Sequence, residues 1–239
     1  MKDKNNFIVY DYETSGLSPW FDIPLDGSFV LTDENFNKLD ELSIKIKLSR
    51  GIIPSPIALL VQKADLEKLY EGDSYYEAMS KLYKKSEEWG PASWVGFNNI
   101  GFDEKFTRMG LYKSLHNQYI TNTNGNTRAD ILPLMHYMKF FYPNFINFPM
   151  NDEGKPIFKL DRIAPANNIN HRAHRSMGDV IATIELCKLV QQKTPDLWFH
   201  AMNDTKKMDV LKKADELNVF CYGKYDRNRE PDFSAYAFV

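Results

Sequence analysis

A chain of 239 residues, 43% hydrophobic and 14% aromatic, suits one α/β domain, or one domain with a small appendage, and can bury a sizeable core. It has no run of about 18 apolar residues that could span a membrane, and MKDKNN leads into the first strand without a signal-peptide hydrophobic region. A formal net charge of −2 does not announce a nucleic-acid binder, yet an enzyme of nucleic acids working through metal-coordinating acids can carry it if its cations cluster where phosphates lie, so the charge is neutral evidence.

In chain order, FIVY (7–10) is β-branched and aromatic and predicts a buried opening strand. Residues i and i+2 of a strand share a face, so Asp11 and Glu13 project side by side from its C-terminal end. Two like charges that close need neutralising, by a shared proton, a basic side chain or a divalent cation. Ser15, Gly16, Ser18 and Pro19 then make a turn. SFVLTD (28–33) and LSIKIKL (42–48) alternate as strands, joined by NFNKLD as a hairpin connection, which predicts a mixed sheet.

Residues 56–70 hold two prolines and helical spacing, hence one or two short helices. Ser74, with Glu77 three residues on, forms a capping box for a helix that Gly90 ends. SWVGF (93–97) is a short strand, and NNIGFDEKFTRMGLYKSL is a polar turn running into a helix, together half of a βαβ unit. TNTNGNTR (121–128) reads as a loop, ADILPLMHYMKFFY as a helix and PNFINFPMNDEGKP as an irregular connection. Residues 176–192 predict a strong helix with Val180, Ile184 and Cys187 on one face. Beyond it come a charged helix over 205–217, a strand over 219–225 and a loosely held polar tail over 226–234.

Four acids stand at element ends, where catalytic groups of α/β domains gather: Asp11 and Glu13 ending the first strand, Asp103 in NNIGFDE, and Asp179 in the first turns of the late helix. His174 precedes Asp179 by five residues, a spacing that does not share a helix face, and so belongs to the loop leading in. His171 and His174, in HRAH, lack the nearby cysteine that a zinc site would use. Asp130 begins a helix, where the helix dipole favours an acid. The aromatic cluster over 137–148 reads as core and lid rather than a base-stacking platform. Cys187 and Cys221, each among apolar neighbours and outside any CxxC pair, predict buried thiols in a reduced, cytoplasmic protein.

The ordered motifs D-x-E-T-x-G-L, G-F-N-N-x-x-F-D and A-H-x-x-M-x-D resemble the histidine-bearing branch of the DEDD exonuclease superfamily, which has a ribonuclease H-like fold. More narrowly, DYETSG, GFNNIGFDEKFTR and the block from RADILPLM to AHRSMGDVIAT resemble the exonuclease I family, bacterial enzymes that degrade single-stranded DNA from the 3′ end. The similarity runs, with gaps, from about residue 6 to residue 200.

The resemblance implies a mixed β-sheet flanked by helices and two Mg²⁺ ions, for which Mn²⁺ can substitute. It implies that Asp11 bridges the metals, Glu13 and Asp179 complete the first site, Asp103 holds the second and His174 is the general base. Glu13, Thr14 and Leu17 would meet the terminal nucleotide, with Arg108 and Tyr119 as further DNA contacts. Lys159 stands where the family has an arginine near the scissile phosphate; it keeps the charge and loses the bidentate geometry.

The implied function is a 3′ to 5′ exonuclease releasing 5′-mononucleotides in DNA repair and recombination. Its partners would be single-stranded DNA and a single-strand DNA-binding protein; it would be a monomer with no membrane partner. An RNA or oligoribonucleotide exonuclease and a non-catalytic nucleic-acid-binding subunit are the alternatives. Residues 1–203 would form the catalytic domain and 204–239 an extension. Family members continue into a β-rich and a helical domain, whereas this sequence stops after SAYAFV, so it reads as a stand-alone core or a fragment that should act distributively and bind DNA salt-sensitively.

Overall fold

The computed structural model describes residues 6–171, 175–203, 212, 216, 219–226 and 228–237. A five-stranded mixed sheet runs in the order β3-β2-β1-β4-β5. β1 (Phe7–Thr14), β2 (Pro24–Thr32) and β3 (Lys38–Lys45) form an antiparallel meander, and β4 (Ser93–Gly96) and β5 (Thr127–Asp130) add to β1 in parallel.

The period-two pattern of β1 decides the layering. Phe7 and Val9 face one hydrophobic layer with Val30, Val95, Ile184 and Cys187, while Ile8 and Tyr10 face the other with Phe29, Trp94, Leu82 and Phe106. The first layer is closed by α6 (Ser176–Lys193), the second by α2 (Tyr75–Trp89) and α3 (Asp103–Lys113). The face predicted for the late helix is the one buried, since Val180, Ile184 and Cys187 are all inaccessible or nearly so. Cys187 is a free buried thiol whose pKa burial pushes well up; nothing is described of the Cys221 side chain.

The helix over 56–70 resolves into α1 (Pro56–Gln62) and a 3₁₀ turn, Glu67–Tyr70. The Ser74 capping box forms: Ser74 Oγ accepts from the Glu77 N–H and Glu77 Oε2 accepts from the Ser74 N–H.

Two sequence expectations need correcting. The loop reading of 121–128 and the helix start after it miss β5, because TRAD is four residues long with two charges and becomes a strand only by pairing with β4. The tail over 226–234 is not loose throughout: β7 (Pro231–Ala237) pairs antiparallel with β6 (Val219–Tyr225) as a separate two-stranded sheet. The Tyr225 N–H of that hairpin donates to His136 Nδ1 on α4 (Ile131–Phe141), at 3.4 Å. Helices α5 (Leu160–Ala166) and α7 (Pro195–Asn203) complete the described elements, and most of the helix expected over 205–217 lies outside the described residues. No helix among the described residues is long and apolar enough to cross a membrane.

Candidate active site

The strand does not stop before its acids; it carries them. β1 continues through Asp11 and Glu13, but its pairing with β4 ends at Val9, and β4 itself ends at Gly96. The parallel strands therefore part where the carboxylates begin, a crevice at strand C-termini of the kind in which α/β sheets bind ligands. By alternation Asp11 and Glu13 continue the Phe7–Val9 face, toward α6, and there they meet Asp179 in its first turn. One carboxylate oxygen from each of the three lies within 4.8 Å of the others.

Asp103 enters from the opposite side. At the start of α3 it is buried, and its Oδ1 accepts the Tyr12 N–H at 3.0 Å, a β1 donor beyond the reach of β4. Asp11, Glu13, Asp103 and Asp179 line one cleft of about 390 Å³ together with Phe158 and Lys159.

The GFNN motif explains how Asp103 is placed. A Cβ on Gly96 would stand 2.6 Å from the Asn99 Cβ and 3.0 Å from the Tyr10 carbonyl oxygen, so the turn needs glycine there. Asn98 adopts a left-handed conformation with φ 62°, which asparagine tolerates better than most residues. Asp130 then clamps the turn, its carboxylate accepting from the N–H groups of Asn98 (2.8 Å), Ile100 (3.2 Å) and Leu132 (3.0 Å). Its role exceeds the helix-dipole reading: it caps α4 and ties down the loop that delivers Asp103. Asp130→Ala is expected to cost about 1–2 kcal/mol of stability, the upper range for a lost helix cap, measurable as a lowered denaturation midpoint at unchanged slope.

The electrostatics of the cluster are unbalanced. Burial pushes Asp11 well up from the ordinary carboxylate range, and the charges of Asp103, Asp179, Glu13 and Asp26 push it further. Burial likewise raises Glu13 to about 8, with Asp179, Asp26 and Asp103 adding to it. Asp103 is also raised to about 8, chiefly by burial, against the lowering effect of the Tyr12 N–H bond. Among the described residues no lysine or arginine forms an ion pair with Asp11 or Glu13, so those residues offer no basic-side-chain solution. What remains is a proton or a cation. A set of oxygen-only donors, crowded together and raised in pKa chiefly by burial where a shift is resolved, suits a hard divalent ion such as Mg²⁺ or Mn²⁺.

The other sequence candidates divide. Lys159, at the N-cap of α5, is exposed and lines the cleft. Arg108 and Tyr119 do come together, the guanidinium carbon 5.2 Å from the ring centroid, but neither lines the carboxylate cleft. Arg108 Nε donates to the buried Glu104 at 2.7 Å, and Glu104 also accepts from Arg128, Thr121 and Tyr10. Thr14 is buried, its hydroxyl donating to the Gly16 carbonyl oxygen at 2.6 Å, while Leu17 is 83% exposed at the turn. His174 lies outside the described residues. Its neighbour His171, which the sequence reading weighed only for zinc, has Nε2 2.5 Å from Asp179 Oδ1 and a buried side chain. Its signal was the first histidine of HRAH, whose contact to Asp179 depends on a turn that spacing does not reveal.

No protein-family model matches the chain. Exodeoxyribonuclease I of Haemophilus influenzae is 32% identical over 215 residues, 88% of this chain and 45% of the relative. A crystal structure of Escherichia coli exonuclease I in complex with a dT13 oligonucleotide superposes with TM-score 0.89 at 26% identity, covering 97% of this chain and 52% of that one. A structure of SSB/Exonuclease I in complex with the inhibitor CFAM gives TM-score 0.83 at 26% identity, covering 92% and 49%. The chain is a homologue of exodeoxyribonuclease I with that protein's ribonuclease H-like DEDD fold, spanning about half the length of the curated relatives it matches.

Proposed function

We propose that the chain is a divalent-metal-dependent 3′ to 5′ exonuclease that hydrolyses single-stranded DNA to 5′-mononucleotides, in DNA repair and recombination. The observation that carries this reading is the convergence of Asp11, Glu13 and Asp179 within 4.8 Å, facing Asp103 across one cleft, in a homologue of exodeoxyribonuclease I.

Asp11, Glu13 and Asp179 would hold one Mg²⁺, and Asp103 with Asp11 a second. The bound ions would supply Lewis-acid stabilisation of the charge that builds on the phosphate and of the attacking and leaving oxygens. His174, leading into α6, takes the proton of the attacking water; an imidazole with a pKa near ~6.5 suits that task near neutral pH. A bond forms from the water oxygen to phosphorus as the bond to the 3′ oxygen of the preceding nucleotide breaks. The released nucleotide keeps a 5′-phosphate and the shortened strand a 3′-hydroxyl.

Lys159 brings a cation to the cleft for the scissile phosphate. Glu13, Thr14 and Leu17 receive the terminal nucleotide, and Arg108, oriented by Glu104 and stacked on Tyr119, contacts the strand further back. We assign catalysis to residues 1–203 and an accessory role to 204–239. A monomer working in the cytoplasm with single-stranded DNA and a single-strand DNA-binding protein is the assembly this reading implies, the latter by analogy with the SSB/Exonuclease I structure.

Incubating 5′-labelled single-stranded DNA, and RNA of the same sequence, with Mg²⁺, Mn²⁺ or EDTA tests the reading. The expected result is a ladder shortened from the 3′ end on DNA, with none in EDTA. Faster loss of RNA would reassign the substrate to oligoribonucleotides. Inertness toward both, with folded protein and metal present, would replace catalysis by a binding role.

A further inference from the structure

A buried hydroxyl chain runs beside the carboxylate cluster without belonging to it. Ser176 Oγ donates to Asp26 Oδ2 at 2.7 Å, and Ser28 Oγ lies 2.7 Å from Ser176 Oγ. Ser176 has one hydroxyl proton, which goes to Asp26, so Ser28 must donate the second bond and the chain is directed Ser28 to Ser176 to Asp26. Ser28 and Ser176 are 2% and 0% exposed. Three side chains that could have been apolar there are hydroxyl, hydroxyl and carboxylate.

Their placement has a geometric meaning. Asp26 and Ser28 are two apart on β2 and therefore share the face turned to α6; Asp26 lies directly opposite Glu13 in the β1–β2 register. Ser176 is the first residue of α6, and Asp179 follows three residues on, on the same side of the helix. Yet α6 lacks the usual fastening at its start, because its N-cap, Arg175, makes no side-chain cap hydrogen bond. The Ser176 side chain does not supply one either; both of its bonds run sideways to β2. Two bonds from one helix residue to two points along a neighbouring strand restrain both sliding of the helix along its axis and rotation about it.

We propose that Ser176, bridged between Asp26 and Ser28, is a positioning residue that sets Asp179 against Asp11 and Glu13, giving the three carboxylates the spacing one divalent ion requires. The inference rests on the metal reading above and goes beyond it in naming what holds the ligand set together. Asp26 suits the acceptor position because a carboxylate makes a stronger, charge-assisted bond to a hydroxyl than a neutral group does.

Calorimetric titration of Mn²⁺ into wild type, Ser176→Ala, Ser28→Ala and Asp26→Asn tests this, with kcat and KM measured on a labelled single-stranded oligonucleotide. Ser176→Ala is expected to weaken Mn²⁺ binding and lower kcat by about 10–100-fold, the usual consequence of losing an outer-shell partner, with KM for DNA nearly unchanged. Asp26→Asn keeps an acceptor for the hydroxyl and should stay within a few-fold of wild type, whereas Ser28→Ala should fall between the two. Mn²⁺ affinity in Ser176→Ala equal to wild type overturns the proposal and leaves the metal reading standing. Absence of Mn²⁺ binding in wild type overturns both. Should Ser176→Ala fail to fold, Ser28→Ala decides: unchanged affinity there counts against the proposal, and a several-fold loss supports it.

Discussion

Asp11→Asn is expected to slow hydrolysis of single-stranded DNA by about 10³-fold or more and, in EDTA, to raise the thermal midpoint. The first half follows from the proposed role of Asp11 as a shared metal ligand: Lewis-acid stabilisation is worth several kcal/mol, and about 1.4 kcal/mol corresponds to each factor of ten in rate. The second half follows from the cluster's imbalance. Asp11 is buried among Asp103, Asp179, Glu13 and Asp26, all of which disfavour its charge. An uncharged amide of the same shape removes that repulsion. Rate on a labelled oligonucleotide and a melting curve in EDTA, taken on one preparation, read both halves. Loss of activity accompanied by a lowered midpoint would mean that Asp11 is structural.

The second large effect is a pH dependence that metal offsets. Glu13 is raised from 4.5 to about 8. Between those values the fold holds a proton that the unfolded chain has lost, so stability in EDTA falls as pH rises through this window and levels off above about 8. Metal binding needs the carboxylate free, so Mg²⁺ must displace protons, and its affinity rises with pH over the same window. Midpoints measured from about pH 5 to about pH 8 should therefore decline in EDTA, while the extra stability conferred by saturating Mg²⁺ grows. Parallel curves with and without Mg²⁺ would show that Glu13 carries no proton for the metal to displace.

Both effects arise from features that a sequence displays unevenly. The strand FIVY, the i, i+2 acids and the apolar face of α6 are local patterns, and each appears in the structure where its period places it. The Ser74 capping box is local as well, complete within four residues. β5 was missed because TRAD has no strand character of its own and is made a strand by β4. β7 was missed because the polar run over 226–232 hides its start and its strand partner is β6.

The site shows the same division. Asp11 and Glu13 announce themselves by spacing, whereas Asp103 and Asp179 stood out only by their places at element ends and were joined to that pair through the resemblance, since 91 positions separate Tyr12 from Asp103 in sequence while one hydrogen bond joins them in space. Asp26 gave no signal at all, because its importance lies in the register that sets it opposite Glu13. Ser176 and Ser28 are ordinary residues 148 positions apart until the fold joins them. Asp130 was read by its place at a helix start, which is correct as far as it goes; its hold on the Asn98–Ile100 turn requires the parallel sheet to exist first.

The most direct measurement is anomalous diffraction from crystals of the chain grown with Mn²⁺, beside crystals of Asp11→Asn. The account predicts an anomalous peak among the Asp11, Glu13 and Asp179 carboxylates in the wild type and its loss in the variant. A wild-type site without such a peak at saturating Mn²⁺, or a peak that survives in Asp11→Asn, would contradict it.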